Sequence, residues 1–368
     1  MQKIITENGT YDCIYDILQL EKCKNIFLVT GASFQYLKVK DYIDSMDVSV
    51  IKFSSFSSNP LYEEVCKGVE AFKTNKCDAI IAIGGGSAID VAKCIKLYCN
   101  MDSKFSYLDQ EYIDNFVPLI AMPTTAGTGS ESTHFAVIYY KGMKQSIMHN
   151  SILPKYVILD SSVLHSLPLY QKKCTMLDAF CQAIESWWSV NSNEESISYS
   201  KIAIEKIIHN WHSYIFGDST VCAKEIMIAA NYAGQAINIA QTTAAHAFSY
   251  KLTSLYKLPH GHAVAISLPE IWSYMLKNIH LCNDPRGENY VRTIFIHIAN
   301  ALECIDVDSA ITQIKNMLNT MGLRKPIATN RTLELKLLTD SVNSLRLKNN
   351  PIFLESKSIY NIYNLLLE

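Results

Sequence analysis

The feature that most narrows what this chain can fold into is a change of rhythm near Pro168. Before it, short apolar runs alternate with helical patterns; after it, apolar residues recur at helical spacing almost to the end. Residues 25–30 (NIFLVT) read as a buried strand that runs at once into a Gly31–Ala32–Ser33 turn. Residues 48–53, 78–83, 118–122 and 156–160 read as further strands, and 134–140 with 144–148 as a hairpin around Gly142. Residues 61–74 and 88–98 carry the helical pattern between them. Strands alternating with helices imply a mostly parallel sheet. The predicted organisation is an α/β domain over residues 1–165 and an all-helical domain over residues 166–368, a length that suits two domains.

Two turns in the first half suit phosphate. In 80–93, IIAIGGGSAIDVAK, three glycines follow a buried strand, so the backbone can approach a ligand closely. Ser87 can cap the helix that follows, and N–H groups and the helix dipole then face one point, as a pyrophosphate requires. The run is not GxGxxG, and a tight structural turn is the alternative reading. A second turn, PTTAGTGSE at 123–131, also follows a strand and offers the hydroxyls of Thr124, Thr125 and Thr128. Two such turns at the carboxyl ends of neighbouring strands fit a dinucleotide lying across a switch point. The candidate cofactor-binding residues are Gly31, Ser33, Asn59, Gly85, Gly86, Ser87, Asp90, Thr124, Thr125, Thr128 and Lys144.

The second half concentrates metal-ligand chemistry. AHAFSYKLTSLYKLPHGH, 245–262, holds His246, His260 and His262, with Tyr250 one helical turn after His246. Pro259 argues that the first helix has ended before His260, which then arrives from a turn or from the next helix. Upstream, in LDAFCQAIES (177–186), Asp178 and Gln182 are a turn apart. One Asp and two His make an open three-ligand site for a divalent metal, with Gln182 beside it; ordinary helix polar residues are the competing explanation. Glu185 continues the Asp178 side of its helix, either supporting the site or in a solvated or capping role. Trp187, Trp188 and Trp211 read as packing residues, and His209 and His212 as surface residues.

Net charge of −2 gives no basis for nucleic-acid binding. No apolar run approaches the ~18 residues of a membrane span. Eleven cysteines without CxxC pairs suit reduced thiols in a cytoplasmic protein.

GGGSAIDVAK, PTTAGTGSE, DAFCQAIES and HAFSY…LPHGH, taken together and in this order, resemble the iron-containing (group III) alcohol dehydrogenases. These share the dehydroquinate-synthase-like fold with glycerol dehydrogenases. The resemblance runs from about Asn25 to Pro269. It implies an N-terminal nucleotide-binding domain, an all-helical metal domain and a cleft between them. It also implies NADPH or NADH as cofactor, Fe²⁺ or Zn²⁺ as metal, a small aldehyde or alcohol as substrate and, by analogy, a homodimer. Metal ligands carried over fall on Asp178, Gln182, His246 and His260. Gln182 stands where the family has His, and Tyr250 where it usually has a third His near the nicotinamide. DAFCQAIESWWSVNSNEES, AINIAQTTAAHAFSYKLTS and LPHGHAVAISLP look like the phosphonoacetaldehyde reductase branch, which shares the Gln at 182. That branch implies reduction to 2-hydroxyethylphosphonate in phosphonate biosynthesis. The chain departs from it with Gln241 in place of Lys and Lys251 in place of Pro, and leaves Lys144, His134, His149 and Lys251 as candidate phosphonate contacts.

The mechanism these residues imply is hydride transfer from NAD(P)H to an aldehyde carbon, with the carbonyl polarised by a metal on Asp178, His246 and His260. Tyr250 or a water delivers the proton, making Tyr250, His246 and His260 the catalytic set. Gly31 leaves no carboxylate to repel a 2′-phosphate, so NADP(H) is expected to be tolerated. Alternatives are a general short-chain alcohol dehydrogenase of the same family, a metal-poor lyase or synthase on the fold, and a non-catalytic member that only binds nucleotide.

Overall fold

The computed structural model describes residues 2–7, 11–342 and 344–368, which form two compact units, Met1–Leu167 and Pro168–Glu368. In the first unit, β1 (Lys3–Glu7), β2 (Asn25–Thr30), β3 (Ser49–Phe53), β4 (Ala79–Gly84), β5 (Leu119–Pro123) and β8 (Tyr156–Asp160) make one parallel sheet, ordered β1-β8-β5-β4-β2-β3. Its centre explains the uniformly apolar runs. Ala79, Ile80, Ile81, Ala82 and Ile83 of β4 are all buried, because helices cover both faces of a parallel sheet. Each isoleucine so buried contributes roughly 1.5–3 kcal/mol. Helices α1 (Asp12–Glu21), α2 (Val39–Ser45), α3 (Tyr62–Thr74) and α4 (Gly86–Tyr98) make the crossovers. The strands β6 (Phe135–Tyr140) and β7 (Met143–Met148) pair antiparallel as a separate hairpin. Its two-residue turn puts Lys141 at φ 50° and Gly142 at φ 73°, the double left-handed turn that matches strand twist.

Three named elements of the first unit escape the sequence pattern, β1, α1 and α2. The strand β1 is an edge with Ile4 39% exposed, so it lacks the long apolar run of the central strands. The start of α4 also differs from expectation. It begins at Gly86, with Gly85 as its first cap and no side chain capping it. Ser87 is therefore not the cap; it lies in the first turn and donates to the Ser58 carbonyl at 2.5 Å.

The second unit is helical throughout: α5 (Leu169–Trp188), α6 (Glu194–Phe216), α7 (Thr220–Ala240), α8 (Ala244–Tyr256), α9 (His260–Lys277), α10 (Glu288–Ala301), α11 (Val307–Thr320), α12 (Arg331–Asp340), α13 (Ser344–Leu347) and α14 (Ser356–Leu366). The helix α5 is buried on every side from Met176 to Trp188, packed against α6, α7 and α9. A helix buried all round is a core element, so its polar residues need partners inside the fold. Its end is anchored by Trp188, edge-on to Trp272 and Phe295 at 5.6 and 6.0 Å. Among the described residues no helix is long and apolar enough to cross a membrane.

Candidate active site

In the first unit, strand order reverses beside β2, since β3 lies on one side of it and β4 on the other. Ligands of open parallel sheets bind at such a reversal, beyond the carboxyl ends of the strands. Gly31 follows β2 there, and the glycine turn follows β4. The two predicted turns touch. A Cβ on Gly86 would meet Thr128 Cγ2 at 2.9 Å, and one on Gly85 would meet Thr125 Cγ2 at 3.5 Å. The Thr124 amide donates to the Gly84 carbonyl at 2.9 Å, tying the turns at the backbone, and its side chain is buried. Thr125 and Thr128 are half-buried, while Ser33, Asn59 and Lys144 are exposed.

Asp90 departs from its expected place at the pyrophosphate. Its carboxylate accepts from Ser130 Oγ at 2.6 Å and from the Val137 amide at 3.0 Å. Burial pushes the Asp90 carboxyl up, against the pull of Lys93 and those donors. Lys93 donates to Ser130 Oγ, Thr133 Oγ1 and the Phe135 carbonyl, and burial brings it down to about 8 despite Asp90 and Glu131. Asp90 and Lys93 thus clamp α4 to the second turn from beneath. A spacing argument cannot separate a carboxylate that faces a ligand from one that faces inward.

In the second unit, Asp178, His246 and His260 each offer a ligand atom, and the three atoms lie within 4.8 Å of one another. His260 opens α9 with Pro259 as its cap, so it arrives from the next helix. His246 Nε2 stands 3.4 Å from Asp178 Oδ1, and His260 Nε2 stands 3.9 Å from the same oxygen. Neither Asp178 Oδ1 nor His246 Nε2, both buried, finds a hydrogen bond. Buried polar atoms without partners are rare in native folds, and these two face one another. Burial by itself lowers the His246 pKa, but the Glu185 charge, its hydrogen bond and the Asp178 carboxylate alongside push it up to about 10. Burial raises the Asp178 carboxyl, yet His246, His260 and a hydrogen bond from Gln182 hold it below its ordinary value. The surroundings favour positive charge at this point, and the donor set suits a divalent metal. Gln182, buried beside Asp178, is spent at least in part on that carboxylate.

What aims the imidazoles is Glu185, fully buried one face along α5. Its Oε1 accepts from the Thr243 amide, Thr243 Oγ1, the Ala245 amide and the His246 amide at 3.1, 2.8, 2.9 and 3.3 Å. Its Oε2 takes the His246 Nδ1 proton. Glu185 therefore caps α8 and orients its histidine at once, leaving Nε2 as the lone-pair atom. Burial works against ionisation of Glu185, but His246, Thr243 and those amides hold its carboxyl below the usual range. Ser249 does the same for His260. Its hydroxyl donates to the His246 carbonyl at 2.8 Å and takes Nδ1–H of His260 at 3.3 Å. Tyr250 lies parallel to the His260 ring, centroids 6.0 Å apart.

His262 is not in the cluster. Its Nε2–H donates to the Arg324 carbonyl at 2.9 Å and its Nδ1 accepts from Tyr170 at 2.8 Å, so it fastens α9 as a neutral, buried group. Spacing missed Gly261 between the two histidines. A Cβ there would stand 1.9 Å from the Cys174 carbonyl oxygen, so glycine is what lets α9 reach α5. Spacing also missed the backbone of Gln241, at φ 60° and ψ 170° between α7 and α8. A residue with a side chain held there costs of order 1–3 kcal/mol.

The family model described as iron-containing alcohol dehydrogenase matches residues 1–161, and that of the Fe-containing alcohol dehydrogenase family C-terminal region matches 173–367. The chain belongs to the iron-containing alcohol dehydrogenase family. Among curated relatives, the probable alcohol dehydrogenase EutG of Escherichia coli (strain K12) is 30% identical over 72% of this chain and 66% of its own length. The 1,3-propanediol dehydrogenase of Citrobacter freundii is 31% identical over 70% of each. The chain spans just under two thirds of that EutG. Among solved structures, the sulfoacetaldehyde reductase of Bifidobacterium kashiwanohense, in complex with NAD+, superposes with a TM-score of 0.89 at 26% identity, covering 99% of this chain and 96% of that one. The iron-containing alcohol dehydrogenase of Thermotoga maritima superposes at 0.84 with 26% identity, covering 99% and 97%.

Proposed function

We propose that this chain reduces a short aldehyde to its primary alcohol with NAD(P)H and a divalent metal, phosphonoacetaldehyde being the specific candidate. The observation that carries the reading is the Asp178–His246–His260 cluster with its two unpartnered, buried ligand atoms. Asp178, His246 Nε2 and His260 Nε2 would hold the metal, with Gln182 steadying Asp178. When bound, such a metal would supply Lewis acidity toward a carbonyl oxygen, and the nicotinamide would supply hydride. Glu185 and Ser249 keep both imidazoles in the tautomer whose Nε2 carries the lone pair. Tyr250 Oη gives its proton to the oxygen that becomes the alcohol. The glycine turn, with Thr125 and Thr128 beside it, binds the dinucleotide phosphates through backbone N–H groups at the start of α4. Eleven free thiols support the cytoplasmic reading.

The test is oxidation of NADPH and NADH with phosphonoacetaldehyde and with a plain short-chain aldehyde, comparing metal-stripped protein with protein reloaded with Fe²⁺ or Zn²⁺. Metal-dependent turnover that prefers the phosphonate is the expected result. Preference for the uncharged aldehyde returns the chain to the general alcohol dehydrogenases, and turnover indifferent to metal overturns the metal-assisted mechanism.

Cofactor choice rests on Gly31. A Cβ added there meets nothing within 4 Å, so Gly31→Asp installs a carboxylate after β2 without a clash. It should lower kcat/KM for NADPH about tenfold relative to NADH by repelling the 2′-phosphate. An unchanged NADPH-to-NADH ratio would remove Gly31 from the ribose site.

A further inference from the structure

Thr243 stands at the first cap of α8, where a threonine hydroxyl ordinarily accepts from the amides of its own helix. It makes no such bond. Glu185 Oε1 fills that role, accepting from the Ala245 and His246 amides at 2.9 and 3.3 Å. The Thr243 hydroxyl is turned instead onto α5, where it accepts from Trp188 Nε1 at 2.8 Å and donates to Glu185 Oε1 at 2.8 Å. A second tie lies alongside, with Ser189 Oγ donating to the Ala240 carbonyl at 2.6 Å. Trp188, Ser189, Thr243 and Glu185 are all buried.

The chemistry of the donors fixes the direction of each bond. An indole nitrogen only donates, so it takes a lone pair of the hydroxyl and leaves the hydroxyl hydrogen to Glu185. Trp188 is held in turn by its ring, edge-on to Trp272 and Phe295, so the hydroxyl is anchored to a donor fixed by packing. Glu185 cannot turn Oε1 away from the start of α8 without breaking this bond along with three to backbone amides. Its Oε2 is thereby left facing His246 Nδ1. The same contact sets how the start of α8 sits on α5, the helix that carries Asp178. His246 Nε2 and Asp178 Oδ1, 3.4 Å apart, depend on that register.

We propose that Thr243 is a positioning residue for the metal centre and that Trp188 is its anchor. Cation affinity at Asp178, His246 and His260 then depends on one hydroxyl and one indole N–H outside the ligand set. This rests on the metal-centre reading above and extends it by two residues. By reciprocity, whatever these two groups add to metal affinity, the metal returns to their hydrogen bonds.

Full-length Thr243→Val keeps the branched shape and removes the hydroxyl. It should bind Zn²⁺ about tenfold more weakly in chelator competition, and Thr243→Ser should restore most of that affinity. A hydroxyl that merely staples α8 to α5 would lower the melting temperature and leave Zn²⁺ affinity unchanged, which overturns the proposal. The nitrogen-labelled Trp188 indole gives a resonance identified by its loss in Trp188→Phe. It should move on Zn²⁺ loading of the unmodified chain and stay put in Thr243→Val. A resonance indifferent to Zn²⁺ in the unmodified chain overturns the proposal. Should Thr243→Val fail to fold, Trp188→Phe keeps a ring against Trp272 and Phe295 while removing the N–H. Weaker Zn²⁺ binding in that variant upholds the proposal, and unchanged binding overturns it. A chain that binds neither Fe²⁺ nor Zn²⁺ removes the metal reading. The positioning is then read without metal, from the His246 Nδ1 proton resonance. A shift in Thr243→Val that Thr243→Ser reverses upholds it, and the same resonance in all three chains overturns it.

Discussion

Glu185→Gln leaves the chain folded and lowers its metal affinity by at least about 100-fold. The expectation follows from what surrounds the carboxylate. One oxygen accepts from four donors at the start of α8, and the other accepts the His246 Nδ1 proton. A glutamine has one accepting oxygen and one donating nitrogen. With its oxygen toward the amides, its NH₂ faces His246 and forces the proton onto Nε2, the atom meant for the metal. With its oxygen toward His246, the NH₂ confronts the Thr243, Ala245 and His246 amides, at a cost of about 1–3 kcal/mol. Groups that orient a ligating histidine are worth 10–100-fold in metal affinity, and loss of the tautomer adds to that. Metal retained after dialysis, chelator competition and the melting temperature measure the two effects separately. Full metal content in Glu185→Gln would show that Glu185 only caps α8.

Gly261→Ala attacks the same site from the opposite helix. The added methyl would lie 1.9 Å from the Cys174 carbonyl oxygen and 2.9 Å from its carbon, and 3.0 Å from Asp178 Cβ. Two of these atoms are backbone of the most buried helix in the unit, so α9 must move outward rather than the obstacle. His260 is the neighbouring residue and moves with it, away from Asp178 Oδ1. Overpacking of this kind costs about 3 kcal/mol, and it should bring a lower melting temperature together with loss of bound metal. A variant with the parent's melting temperature and metal content would mean that α9 does not need this contact to place His260.

The two experiments bear on Glu185, whose role the sequence pattern leaves open, and on Gly261, which the pattern does not single out. Asp178, His246 and His260 can be named from sequence as ligand-type side chains, with ordinary helix polar residues as the competing explanation until the motifs around them are matched to the family. The parallel sheet is legible because strands such as β4 are buried on both faces and so carry unbroken apolar runs. The edge strand β1 has no such run and escapes. Glu185 could be read either as support for the site or as a cap, and the fold makes it both, through five bonds to residues at least 58 positions away. Asp90 carries the opposite lesson. Its place behind a glycine turn suggests a ligand contact, and only packing against Ser130 and Val137 turns it inward.

The sequence by itself determined the alternation of strand and helix, the change to all-helical structure after Pro168, the glycine and threonine turns, and the family. These are local or periodic properties, set by which side chains can cover which backbone. Only the tertiary structure decided which way each polar group faces: Glu185 onto His246, His262 into a neutral strap away from the cluster, Gly261 against Cys174, and Arg346 onto Gln241. Those outcomes depend on close approaches between helices far apart in the chain. Spacing along one helix says which residues share a face, and nothing about what another helix brings to it.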